Sequence, residues 1–297
     1  MTDTGTSDPR RNVVVEVDLA ALRAALEREA HRVRGLARTA RTLSAPVPGL
    51  EWDTGKLLTH LVMVYRAFAI AVRGEDFEAA LEEAKQSALL RLTGRLDKVI
   101  GQINDVMAEL VVFENADEAA DALEQEATAL CTALAAETDP HRRVSTPWYG
   151  EGATRTVATA AALALNETLL HGIDLARAVG AAETVPHDAA ALAAPLVMSE
   201  MLPELLDLDA AEGFKGHFGV ALRGSQRFVV SVAEGRAWSS RWEEQRRDCV
   251  MSMRPGTALL LGMRRIPLWR AMATGGVVSY GRMPWKAMQF PKLFVSA

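Results

Sequence analysis

Along the first 180 positions, apolar residues recur at the spacing of one helix face. Over residues 17–43, Leu19, Leu22, Leu26, Val33 and Leu36 are interleaved with charge. This pattern predicts an amphipathic helix, with Asp18 as its start signal. Pro46-Val47-Pro48-Gly49 breaks it. A second helix starts at Asp53 or Thr54, either of which can cap it, and runs to about Val72. Its stripe is Leu57, Leu61, Val64, Phe68 and Val72. Residues 76–113 read as helical with a break near Gly94, and residues 117–137 as another amphipathic helix with Leu123, Leu130 and Leu134 inward. Residues 144–157 predict two short extended pieces around the turn Trp148-Tyr149-Gly150-Glu151-Gly152. From near Thr156 to Val179 the chain is apolar on nearly every side, so this helix should be buried. Four or five helices with short links are the signature of a helix bundle.

Past Pro186 the pattern changes. A helix over residues 188–208 reads as a bridge. After Gly213 come short strand-like runs at 218–223, 227–232, 237–239, 249–253 and 275–281. Pro255 leads into a helix over 257–263, and residues 284–294 read as a closing helix. The expected fold class is α plus α+β: a frayed end (1–12), a helix bundle (13–185) and a smaller, mainly antiparallel α+β part (186–297).

Composition narrows the partners. The 297 residues are 49% apolar and 24% charged, ordinary for a globular protein. Net charge is -5 with no broad basic block, which argues against nucleic acid. Cys131 and Cys249 lie far apart without a paired motif, so neither a disulfide framework nor a cysteine zinc site is expected. Cys131 reads as a small apolar filler. Residues 1–11 lack the apolar core of a secretory signal, and no apolar run is expected to span a bilayer. These features point to a reducing, cytoplasmic location.

The chemistry concentrates on the buried helix. Glu167 and His171 are four residues apart, so they share one helical face. A buried carboxylate needs a cation, a donor or a metal. The pair can be an ordinary helix ion pair or two ligands of a metal site. His60 sits beside the apolar stripe of the second helix and reads either as a core-edge histidine or as a further ligand.

Three stretches resemble one family. The segment Trp52-Asp53-Thr54-Gly55-Lys56-Leu57-Leu58-Thr59-His60-Leu61 resembles the first signature of the mycothiol-dependent maleylpyruvate isomerase family, a branch of the DinB-like four-helix bundles. Glu167 to Gly180, with His171-Gly172 and Asp174-Leu175-Ala176, resembles its second signature. Residues 218–294 resemble the sterol-carrier-protein-type domain often attached to that bundle. The resemblance implies a DinB-like metal-binding bundle with His60, Glu167 and His171 as ligands. Two imidazoles and a carboxylate suit zinc, at about 2.0–2.2 Å, with one position left open; nickel is not excluded by ligand type. It also implies a thiol cofactor, mycothiol or another low-molecular-weight thiol, whose metal-bound thiolate is the nucleophile. In the maleylpyruvate case that thiolate adds to a conjugated double bond; rotation and elimination then give the trans isomer. Asp174 reads as a partner orienting a histidine or, equally, as a helix carboxylate paired with Arg177 or the preceding helix. Family isomerases use an arginine of the C-terminal domain near the substrate. Arg264 and Arg265 fall in that region and read as solvated.

Two further functional classes compete with a metal- and thiol-dependent isomerase or S-transferase acting on a small electrophile. One is a binding protein for a lipid or other apolar small molecule. In that case Trp238, Trp242, Trp269, Trp285 and the methionines Met251, Met253, Met263, Met272, Met283 and Met288 would line a pocket in the C-terminal part. The other is a non-catalytic, regulatory metalloprotein. The sequence leaves the oligomeric state open.

Overall fold

The computed structural model describes residues 13–75, 111–150 and 152–295. The helix expected over residues 76–113, including the break near Gly94, falls almost wholly outside them.

Short polar side chains start the long helices. Asp18 accepts from Ala21 N at 2.8 Å to start α1 (Leu19–Ala37), and Asp53 accepts from Lys56 N at 2.9 Å to start α2 (Thr54–Arg73). Asn115 does the same for α3 (Ala116–Ala136), and Thr156 for α4 (Val157–Val179). Gly74 and Gly180, at φ 73° and 72°, end α2 and α4 in the left-handed conformation that glycine adopts without strain. Strands β1 (Arg143–Ser145) and β2 (Thr154–Thr156) pair as an antiparallel hairpin before α4. It encloses the turn at Trp148-Tyr149.

These helices pack in a cycle, α1 and α2 each against both α3 and α4. α4 is buried from Val157 to Asn166 and again from Thr168 to Ala176. It approaches α1 closely: a Cβ on Gly172 would lie 2.7 Å from Arg32 Nη2 and 3.0 Å from Val33 Cγ2. Tyr65 Oη and Thr168 Oγ1, 2.8 Å apart, join α2 to α4 inside the core. By length and composition α2 alone among the described helices could cross a membrane, contrary to the expectation of no such run. Most of that apolar window, 83%, is buried inside the protein.

α5 (His187–Leu196) packs on α1, α4 and the later helix α6 (Pro255–Gly262), linking the helical part to the sheet part. The single helix expected over 188–208 is instead three pieces. α5 gives way to a π turn at Val197–Met201 and a 3-10 turn at Leu202–Leu205. Proline explains the division: Pro195 and Pro203 have no N–H for the carbonyls four residues earlier, Ala191 and Ser199. Both carbonyls receive serine hydroxyls from the sheet part, Ser225 Oγ to Ala191 O at 2.6 Å and Ser239 Oγ to Ser199 O at 2.6 Å. The helix defects thus become the attachment points of the sheet.

That sheet has the order β5-β4-β3-β6-β7, built from β3 (Gly216–Leu222), β4 (Arg227–Ala233), β5 (Arg236–Arg241), β6 (Cys249–Met253) and β7 (Val277–Tyr280). All ladders are antiparallel except β3–β6, which pairs Phe218 with Cys249 in parallel. A helix the sequence did not predict, α7 (Leu268–Ala273), follows α6. The expected closing helix is two 3-10 turns, Pro284–Met288 and Phe290–Lys292; Pro284 suits a helix start, but Pro291 has no N–H for the carbonyl of Ala287 and interrupts any α ladder there. Ser225→Ala or Ser239→Ala should each lower stability by about 1 kcal/mol, read as a lower denaturation midpoint, because a carbonyl loses its donor.

Candidate metal centre

α2 carries His60 and α4 carries Glu167 and His171 to the place where the two helices cross. His60 Nε2 lies 3.4 Å and His171 Nε2 3.2 Å from the same atom, Glu167 Oε2. One ligand atom from each of the three lies within 4.8 Å of the others. The two imidazoles meet edge to face with centroids 4.8 Å apart. Trp52, which the sequence reads as a packing residue, lies against both, 5.1 Å from the His60 ring and 6.2 Å from the His171 ring. His60 is fully buried, while the Glu167 side chain keeps 19% of its surface, the most of the three.

The electrostatics follow from burial and mutual contact. Burial alone would raise the Glu167 carboxyl, but bonds from His171 and His60 outweigh it and hold the group well below the usual range. Burial pushes His60 down, toward the neutral ring that ligates metals. For His171 burial acts downward too, yet its bonds to Asp174 and Glu167 win and raise it to about 9. His60 Nδ1 is buried without a hydrogen-bond partner among the described residues.

Asp174 does both things the sequence allowed. Its Oδ2 lies 3.2 Å from His171 Nδ1, which turns Nε2 toward Glu167. Its Oδ1 also stands 3.7 Å from Arg177 Nη1. The expectation of a solvated Arg265 is corrected. Arg265 grips Asp174 through Nε at 3.2 Å and Nη2 at 2.9 Å, a two-point ion pair spanning 91 residues. The end of α6 aims it. Arg264 takes the left-handed conformation at φ 51°, Arg264 N bonds Leu261 O, and Arg265 N bonds Leu260 O at 2.8 Å. This is a Schellman closure with arginine where glycine is usual. Arg264 itself is exposed, as expected.

The sequence also gave no role to Tyr149. Burial, then the charge of Glu167, push its hydroxyl far above the ordinary range, so it stays protonated. The Arg155 guanidinium lies over its ring at 5.0 Å. Arg155 in turn pairs with Glu204.

The expected tryptophan-lined pocket is only half right. A cavity of about 90 Å³ in the sheet part is lined by Met198, Met251, Met253, Met272 and Met288, among other apolar residues. None of the four tryptophans lines it. Trp242 instead lies over Gly219 with the Arg227 and Arg247 guanidiniums on its ring, and Trp238, Trp269 and Trp285 are exposed.

Residues 22–176 match the family described as the mycothiol maleylpyruvate isomerase N-terminal domain. The chain belongs to that family. The first signature segment lies within the match, and so does the second as far as Ala176, including Glu167, His171 and Asp174. The structure of a variant of a mycothiol-dependent maleylpyruvate isomerase is 14% identical, with 89% of this chain and 93% of that one covered at TM-score 0.50, a likeness of fold. The enzyme without that substitution is 15% identical, with 94% and 95% covered at TM-score 0.49. A sec-alkylsulfatase from Pseudomonas sp. is 16% identical over 48% of this chain, at TM-score 0.31, and the chain spans 25% of its length. No curated protein sequence matches the chain.

The donor set suits a divalent cation: a carboxylate between two imidazole nitrogens, with one imidazole anchored from behind by Asp174. Arg265→Met or Asp174→Asn should weaken cobalt or zinc binding about 10- to 100-fold, measured by competition with a chelator. A proton on His171 competes with a metal. Metal affinity should therefore rise with pH up to about 9. In the metal-free protein, the stability from charged His171 is complete below pH 6.5 and lost as pH rises through about 9. Denaturation midpoints with and without zinc should diverge across that window.

Proposed function

We propose that this protein is a metal-dependent isomerase or S-transferase that uses a low-molecular-weight thiol, mycothiol in the first instance, on a small electrophilic substrate. His60, Glu167 and His171 would hold the metal, zinc before other divalent ions. The observation that carries the reading is the meeting of these three donors at one buried point, with an anchored His171, in a chain of the mycothiol maleylpyruvate isomerase family. On this reading residues 13–185 form a DinB-like four-helix bundle and residues 186–297 a sterol-carrier-type domain, in a cytoplasmic protein.

A bound divalent cation supplies the Lewis acidity that keeps a thiol ionised at neutral pH. The chain's own residues do the rest. Asp174 keeps the His171 proton on Nδ1 and leaves Nε2 as a donor of electrons. Trp52 covers the imidazoles and keeps water from them. Glu167 is the most exposed of the three, and thiol and substrate would arrive from its side. Tyr149 stays protonated beside that charge and can donate a hydrogen bond. Both protein thiols are buried and held up to about 11, which suits a reaction whose nucleophile comes from a cofactor.

A second reading, binding of an apolar small molecule in the C-terminal part, is favoured by the methionine-lined cavity. The deciding experiment is metal analysis followed by calorimetry with mycothiol and a turnover assay with maleylpyruvate. About one metal per chain is expected, with thiol binding that depends on it; His60→Ala should lose metal, thiol binding and turnover together. A metal-free protein that cannot be loaded, or a loaded one that ignores thiols, would overturn the proposal.

A further inference from the structure

The last 49 residues, 249–297, contain seven arginines and lysines and no aspartate or glutamate, in a chain whose net charge is -5. Two of these cations are engaged by acids from earlier in the chain, Arg265 by Asp174 and Lys286 by Asp248. Glu183 lies within electrostatic reach of Arg270. Arg254, Arg264, Arg270, Arg282 and Lys292 are exposed and make no ion pair among the described residues.

The same segment exposes large apolar side chains. Trp269 is 69% exposed and Met272 41%, three residues apart on α7; Trp285 is 64% exposed and Met288 49%, three apart on a 3-10 turn. Residues three apart share a face in either helix type. Met272 and Met288 both line the apolar cavity, and so does the exposed Arg264. Each exposed tryptophan is thus three residues from an exposed methionine that lines one and the same apolar cavity, so both pairs belong to the surface beside it.

We propose that this face docks on an anionic lipid surface. Tryptophan suits the boundary between head groups and acyl chains, and a segment whose exposed charges are all cationic is attracted to anionic lipid. A charged peptide partner would satisfy the cations but leave two tryptophans and two methionines in water. An uncharged apolar partner would leave the cations without a counterpart. This surface is separate from the candidate metal ligands.

The test is co-sedimentation of the full chain with vesicles of phosphatidylcholine alone or with about 30% phosphatidylglycerol, in about 0.1 M salt. Partition at least tenfold stronger onto the anionic vesicles is expected, with a blue shift of tryptophan emission and weakening in about 0.5 M salt. The double variant Trp269→Ala/Trp285→Ala should lose at least tenfold of that partition while keeping the metal affinity and thermal midpoint of the parent. Absence of partition, or equal partition onto both vesicle types, would overturn the proposal. So would a concentration-dependent dimer that the double variant abolishes without any vesicle binding, since the face would then belong to a second copy of the chain.

Discussion

A negative charge on a helix with almost no solvent is the constraint from which the site follows. Glu167 interrupts the buried surface of α4, and water cannot hydrate it fully. Two imidazoles supply the compensation, one from its own helix and one from α2. A proton shared with His171 completes the balance, and the same three side chains form the donor set that suits a divalent cation. The helices must cross at one height for this to work. The close approach at Gly172 and the Tyr65–Thr168 bond hold α4 at its position against α1 and α2.

The compensation reaches beyond the helices. His171 leans on Asp174, and Asp174 is fully buried, so it too needs positive partners. After His171 itself, the next is Arg265, from the sheet part. Its aim is set by the backbone at the end of α6, where Arg264 accepts a conformation costing roughly 1 kcal/mol for a residue with a side chain. A chain of charged contacts thus runs from the candidate ligands to the sheet part.

How far the sequence disclosed this depended on the range of each interaction. Helix starts at Asp18 and Asp53 were legible because capping acts over three residues. Glu167 and His171 were legible because helical period alone puts them on one face. His60 was ambiguous from its own surroundings, and only the family signature singled it out. The Asp174–Arg265 pair was not legible: neither residue carries a local signal of the other, and an arginine occupies the turn position where glycine would have marked the reversal. In the closing segment Pro284 marks a helix start, and Pro291 was the local signal against its continuation. The segment after Pro186 was expected as one helix over 188–208 and is broken. Pro195 and Pro203 were plain to see, but the serines that receive their orphaned carbonyls come from distant strands.

The guanidinium of Arg265 also bears on modularity. The segment shared with the family ends at residue 176, two positions beyond Asp174 and far short of the group that neutralises it. The helical half is therefore not a portable cassette. Recombination that grafted it onto an unrelated C-terminal partner would inherit the imidazoles and the carboxylate but leave the buried Asp174 without its two-point guanidinium partner, with only His171 and Arg177 of its own helix beside it. Divergence of the two halves is coupled at this side chain.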